Sequence, residues 1–374
     1  MTARLCELRE IRLPLVAPFQ TSFGVQTSRR ILLVRAQVEQ DGTVVDGWGE
    51  CVAGDEPTYS AEYVDGAALV MRNVLIPRLA AVPDLAAADV AAVLEPVRGH
   101  PMAKAALEMA VLDAELRAAG RPFAELLGVA RDRVPSGVSV GIHPTIDALL
   151  AAVAGYLDDG YVRIKLKIEP GWDIEPVAEV RRLIGPDFPL QVDANAAYTR
   201  QDVEHLAQLD DFDLLLIEQP LAEDDLLGHA ELAKAIRTPV CLDESIISPT
   251  VAADAIDLGA AEVINIKPGR VGGYLAARRI HDLCRERGVP VWCGGMLETG
   301  IGRAANAALA ALDGFTLPGD ISASRRFWAR DIVTVPIDVV DGHVAVPTGP
   351  GFGVELDRPW IEEVTASTVD LDAG

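Results

Sequence analysis

The sequence predicts an α/β fold, an eight-stranded parallel barrel joined to a smaller α+β domain, and three observations carry that prediction. Beyond Val134, short apolar runs near 136–141, 162–167, 189–193, 213–218, 239–243, 262–267, 289–294 and 315–317 alternate with helical segments. Five of these runs close on a charged residue, in order Lys167, Asp193, Glu218, Asp243 and Lys267, at intervals of 26, 25, 25 and 24 residues. That interval is the length of one strand, one helix and two short loops. Finally, the chain before Val134 runs strands first and helices afterwards, the order of a separate α+β unit.

Taken in order, CELREIRLPL reads as a strand, and APFQTSFGVQTS as a polar loop. RRILLVRAQVEQ and VVDGWGEC form a hairpin across Asp41-Gly42, because that dipeptide accepts the positive φ angles of a tight turn. Residues 60–79 and about 101–118 carry helical spacing of Ala, Leu, Val and Met. Within the barrel, Ser248-Pro249 supplies an N-cap and a first-turn proline, and Gly288 ends the helix that closes on CRER. The eighth unit is degenerate, since no amphipathic helix follows Leu317. From Asp331 to Val354 the pattern returns to strands and turns and is expected to pack back on the first domain. The expected division is therefore 1–130 completed by about 325–374, with the barrel at 131–324, and TASTVDLDAG as a loose tail.

A formal charge of -23 argues against nucleic acid and against an anionic membrane surface as partners. It leaves an anionic small substrate open, because a bound divalent cation reverses the local field. The five cysteines are odd in number and form no CxxC pair, which indicates reduced thiols; Cys241 and Cys293 lie in apolar runs as small hydrophobes. The first residues lack the apolar core of a signal peptide and no 18-residue apolar run occurs, so a cytoplasmic protein is expected.

At the carboxyl ends of successive barrel strands the five charged residues share one rim, where catalytic groups from different strands converge. Asp193, Glu218 and Asp243 form an all-oxygen set suited to a hard cation such as Mg2+, and no histidine or cysteine accompanies them to favour zinc. One acid at a strand end reads as a helix cap or a loop charge; three in register read as ligands. Lys165 and Lys167 lie two apart, so they share a face while Ile164, Leu166 and Ile168 take the other. Their mutual repulsion is expected to lower the pKa of one into the range of a general base, and Lys167, nearer the rim, is that base. Lys165 then either tunes it or contacts substrate. In an eight-strand ring the second and sixth strands are opposite, so Lys267 faces Lys167. Such a pair suits removal of a proton next to a carboxylate, and its return from the other face. Asn195 is a candidate to support Asp193, while Ser139, Gly294, Gly295, Met296 and Glu298 are candidates either for substrate contact or for structure. PGRVGGY lacks the spacing of a phosphate loop.

KLK at 165–167, DAN at 193–195, IEQP at 217–220, DES at 243–245 and NIKPGRVGG at 265–273 together resemble the lysine-base branch of the enolase superfamily. With VWCGGMLETGIGRAANAALAAL, LPGD and PTGPGFGV, the chain is most similar to its o-succinylbenzoate synthase and N-acylamino acid (N-succinylamino acid) racemase family. The resemblance implies an α+β capping domain on a modified (β/α)7β barrel, and Mg2+ or Mn2+ on Asp193, Glu218 and Asp243. It also implies Lys167 and Lys267 as the acid/base pair, and closure over the substrate by the turn near Gly54 and by the loop Phe19 to Gly24, with Phe19 and Phe23. Racemisation needs both lysines, whereas the synthase, a step of menaquinone biosynthesis, needs one as base and then acid. Arg270 either reaches an N-succinyl carboxylate, tunes Lys267 or faces solvent. A dipeptide epimerase or muconate cycloisomerase is the alternative within the superfamily. A catalytically silent binding protein would be expected to have lost one of the five charged residues. A homo-oligomer is expected.

Overall fold

The computed structural model describes residues 3–371. Three long strands open it, β1 (Ala3–Thr21), β2 (Gly24–Gln40) and β3 (Thr43–Cys51), followed by α1 (Val64–Val70), a π-helical turn, α2 (Ile76–Ala80), α3 (Ala87–Leu94), α4 (Pro101–Ala118) and α5 (Phe123–Leu127). β1 and β2 pair from Ala3 opposite Val38 to Thr21 opposite Gly24, with irregularities after Leu5 and Pro14. The segment expected as a loop is thus a hairpin whose tip, Ser22-Phe23, reaches the barrel: the Ser22 hydroxyl donates to the Ala194 carbonyl (3.3 Å). α4 packs on β3 with no side chain between the backbones at two points. A Cβ on Gly47 would stand 2.0 Å from the Ala114 nitrogen, and one on Gly49 2.1 Å from the Ala106 carbonyl.

A short strand, β4 (Arg133–Pro135), leads into the barrel. Its units are β5 (Val138–Val140) with α6 (Ile146–Asp158), β6 (Ile164–Lys167) with α7 (Ile174–Ile184), β7 (Leu190–Asp193) with α8 (Val203–Leu206), and β8 (Ile217–Glu218) with α9 (Leu226–Ala235). Then come β9 (Val240–Leu242) with α10 (Pro249–Leu258), β10 (Val263–Ile266) with α11 (Tyr274–Arg287), and β11 (Val291–Cys293) with α12 (Gly300–Ala310). β5 to β11 hydrogen-bond in sequence order as one parallel sheet. Almost every residue in these strands is buried, as expected of strands covered on both faces. The eighth strand is reduced to single bridges, Phe315 to Val291 on one side and Gly319 to Ser136 on the other, and these close the ring. Ser248 caps α10 through the Val251 N–H, and Gly288 ends α11 in the left-handed conformation, as their residue types predict.

The chain ends with β12 (Val339–Val340), β13 (His343–Ala345), α13 (Arg358–Val364) and β14 (Thr365–Asp370). β13 pairs with β4 and not with the first sheet, whereas β14 pairs with β1 from Glu7 opposite Asp370. Most of the expected loose tail is therefore an edge strand; its last three residues lie outside the described ones. The two units are joined by buried carboxylates of the first, placed at the starts of barrel helices. Glu50 on β3 accepts from the Thr299 and Gly302 N–H groups at α12 (3.1 Å each), and Glu108 on α4 from the Leu275 N–H at α11 (3.1 Å).

Candidate active site

Three carboxylates stand side by side at the mouth of the barrel. Asp193 and Glu218 end β7 and β8, and Asp243 directly follows β9. Lys167, Asp193 and Glu218 are aligned partners across three neighbouring strands. All three carboxylate residues are at most 1 % exposed, so their charge has to be met inside the protein. Lysines meet it. Lys165 Nζ lies 3.1 Å from Asp193 Oδ2, 2.9 Å from Glu218 Oε2 and 2.7 Å from Asp320 Oδ2. Lys167 Nζ lies 2.6 Å from both Asp193 Oδ2 and Asn195 Oδ1. Lys267 Nζ donates to Asp243 Oδ2 (2.8 Å) and to the Tyr59 hydroxyl (3.1 Å).

The backbone around these groups is held in an uncommon conformation. Asn195, Ala196, Gln219 and Leu297, each just beyond a barrel strand, have φ of 43°, 62°, 39° and 56°. Asn195 and Gln219 are fixed by hydrogen bonds. The Asn195 N–H donates to Asp193 Oδ1 (3.0 Å), and its side-chain Nδ2 donates to Glu244 Oε1 (2.8 Å). Gln219 Oε1 accepts from the Asp243 and Ser245 N–H groups (3.0 and 3.2 Å). Asn265 Nδ2 donates to Glu218 Oε1 (2.7 Å), which orients that carboxylate from the neighbouring strand.

The charges around Lys165 and Lys267 set the electrostatics of the site. Burial lowers the pKa of Lys165, but the charges of Asp320, Glu218 and Asp193 outweigh it and leave this ammonium above its ordinary value. Lys267 is raised in the same way, against burial, by Tyr59 and the carboxylates around it. Carboxylates, not lysine–lysine repulsion, therefore govern these two groups. Burial raises Asp193, yet Lys167 and Lys165 pull it well below the usual carboxylate range. Glu218 is raised, first by burial and then by Asp193.

Lys165, Lys167 and Lys267 line one cavity together with Phe19, Ser139, Gly295, Glu298, Asp320 and Arg326. Other sequence candidates are placed elsewhere. Phe23 and Asn195 line an adjacent cavity of about 340 Å³ with Tyr59 and Glu244. Gly294 leaves room for neighbours: a Cβ there would stand 2.3 Å from Asn265 Oδ1 and 2.7 Å from Lys267 Cε. Met296 is half-buried against the hydrophobic core. Arg270 neither faces solvent nor lines the lysine cavity. It is buried, ion-paired to Asp243, and donates to the Asn265 and Ile246 carbonyls (2.7 and 2.9 Å), so it has no free edge for a substrate carboxylate. Sequence reasoning missed Tyr59, Asp320 and Arg326. Asp320 was accessible to it, because TLPGD places an acid just past the eighth apolar run; no comparable signal marks the other two.

Among the described residues, no three His, Cys, Asp or Glu side chains converge as a ready metal cage. The donor chemistry nonetheless fits a hard divalent cation. Asp193, Glu218 and Asp243 offer only carboxylate oxygens, and Oε2 of the neighbouring Glu244 is buried without a hydrogen-bond partner. Lysine ammonium groups now meet the charge that such a cation would share.

Residues 6–128 match the family model described as mandelate racemase / muconate lactonizing enzyme, N-terminal domain, and residues 148–360 match enolase C-terminal domain-like. An N-succinylamino acid racemase from Amycolatopsis sp is 62% identical over 363 residues, 97% of each chain. An o-succinylbenzoate synthase from Geobacillus kaustophilus is 48% identical over 358 residues, 96% of this chain and 94% of that one. A crystal structure of an enolase superfamily member from Listeria innocua superposes with a TM-score of 0.93 at 40% identity, covering 99% of both chains.

Proposed function

Because the chain belongs to the enolase superfamily, we propose that it is a divalent-metal-dependent enolising enzyme that racemises N-succinylamino acids and also dehydrates the cyclohexene precursor of o-succinylbenzoate. The observation that carries the first reaction is the placement of Lys167 and Lys267, from β6 and from the end of β10, in the wall of one cavity. A single base exchanges a proton on one face of a carbon; inversion requires a second group on the other face.

Asp193, Glu218 and Asp243 are the residues that would hold Mg2+ or Mn2+, which when bound supplies positive charge for the second negative charge that grows on a substrate carboxylate. Lys167 removes the proton next to that carboxylate. Lys267, hydrogen-bonded to Asp243 and Tyr59, delivers a proton to the opposite face, and the two lysines exchange roles for the other enantiomer. Tyr59 and Asn195 hold the two ammonium groups in place through the hydrogen bonds they share with them. Asp320 holds Lys165 at the base of the site. The dehydration uses the same cavity but needs only one lysine as base and then acid, and the relatives named as synthases support it as a second activity.

The proposal extends to a cytoplasmic homo-oligomer whose partner is a small carboxylate, with no role for nucleic acid at a formal charge of -23. Among the described residues no helix is long and apolar enough to cross a membrane. The test is proton exchange in D2O with Mg2+. Both enantiomers of an N-succinylamino acid are expected to gain deuterium at Cα and to interconvert. Absence of exchange, together with absence of dehydration of the cyclohexene substrate, would overturn the reading.

A further inference from the structure

One wall of the lysine cavity carries a cation that has no counter-ion among the described residues. Arg326 ends the 3-10 turn Ser324–Arg326, just past the degenerate eighth strand. Its guanidinium lies 4.8 Å from the ring centre of Tyr156, 4.9 Å from Phe327 and 5.8 Å from Phe19. Nη2 donates to the Ser139 carbonyl (3.1 Å), while Nε is buried with no hydrogen-bond partner. The other arginines near this cavity are occupied. Arg303 is taken up by the Glu298 and Ser322 carbonyls, and Arg163 pairs with Asp320 at 2.8 Å. Beside Arg326 the hydroxyl of Ser139, also in the lining, is buried and unpartnered as well.

Two unpartnered polar atoms, Arg326 Nε and Ser139 Oγ, thus belong to neighbouring residues of the cavity lining, with aromatic rings around the guanidinium. Aromatic faces attract a cation but take no proton from it, so they leave its N–H edges unsatisfied. A buried cation with an ion pair missing and one N–H unsatisfied is costly, and an arriving carboxylate removes that cost through charge-assisted hydrogen bonds. The sequence offered this role to Arg270 as one of three, and the edges of that guanidinium are spent on Asp243 and two carbonyls.

We propose that Arg326 and Ser139 form a second anion subsite that binds the carboxylate of the substrate remote from the reacting carbon, such as the free end of a succinyl chain. This rests on the enolising reading above and deepens it, since it assigns the preference for a dicarboxylic acyl group to two residues away from the metal ligands. Neutral acyl groups reach the same cavity but leave Arg326 unpaired, so selection operates by the penalty on the wrong substrate as much as by the gain on the right one.

The experiment is titration calorimetry of the full chain with Mg2+, comparing an N-succinylamino acid with the N-acetyl derivative of the same amino acid. The unaltered protein is expected to favour the succinyl compound by on the order of 10- to 100-fold, the range of a hydrogen-bonded charge pair. Arg326→Met is expected to bring that ratio to about one, and Arg326→Lys, which keeps the charge, to restore part of it. Equal affinities in the unaltered protein, or a ratio that survives Arg326→Met, would overturn the subsite. Affinity is read independently of turnover, so a protein that discriminates by charge yet exchanges no Cα proton would overturn the enolising reading and leave the subsite standing.

Discussion

Buried carboxylates occur in two regions of this molecule and meet different partners. At the barrel rim, Asp193, Glu218, Asp243 and Asp320 face lysine and arginine side chains. At the seam between the two units, and within the first, Glu50, Glu62 and Glu108 face backbone N–H groups. Side-chain cations draw Asp193 and Asp320 below the usual carboxylate range despite burial, whereas Glu218, beside Asp193, is raised. Peptide dipoles are weaker partners, and burial pushes Glu50 and Glu108 up to about 7 and Glu62 up to about 6. Burial alone therefore does not mark a reactive acid. The partner decides: a side-chain ammonium is exchangeable for a metal or a substrate proton, whereas a helix start is a permanent structural partner.

Four outcomes would sharpen or break this contrast. Lys167→Ala or Lys267→Ala should lower racemisation by about 10²- to 10⁴-fold, the usual contribution of a positioned acid or base. Each variant should retain Cα deuterium exchange with one enantiomer only; if both enantiomers still exchange, the two-base assignment fails. Asn265→Ala frees Glu218 Oε1 and should weaken Mg2+ binding by about 10- to 100-fold, as measured by calorimetry, with the melting temperature little changed. At the seam, Glu50→Ala strips acceptors from Thr299 and Gly302 and should cost about 1–3 kcal/mol in denaturant unfolding. An unaltered midpoint would place Glu50 with the exchangeable acids after all.

The smallest effect concerns pH. A carboxyl whose folded pKa is raised binds its proton more tightly when folded, so its contribution is complete below its ordinary value near 4.5 and is lost as pH rises through about 7. Thermal melts should therefore show the seam weakening between about pH 5 and pH 8, and Glu50→Gln with Glu108→Gln should flatten that slope. The rim has the opposite sign: Asp193 and Asp320 stabilise above their ordinary values, and that contribution is lost in acid. A slope unchanged in the double variant would remove the seam as its source.

The rim is legible in the sequence because a parallel barrel repeats one unit, so Asp193, Glu218 and Asp243 recur with the strand ends that carry them. The first unit has no such repeat. The polar composition of APFQTSFGVQTS reads as a loop, yet pairing of β1 with β2 carries it as a hairpin over the barrel mouth. α3 carries too short a pattern to be read, and TASTVD is an edge strand only because β1 offers it a partner. Arg270 and Arg326 show the limit most plainly. Both are arginines beyond barrel strands, and nothing in their neighbours along the chain tells which one is consumed by Asp243 and which is left open to the cavity.

By itself the sequence determined the fold class, the direction of the strands and the order of the charged residues along the rim, because these follow from periodicity and from residue type at strand ends. The tertiary structure alone decided which charges meet. It set Lys165 against three carboxylates, seated Glu50 and Glu108 on helix starts that lie far along the chain, and left Arg326 unpaired among aromatic rings. Electrostatic pairing acts over a few ångströms between groups that can be hundreds of residues apart, and no local pattern encodes that distance.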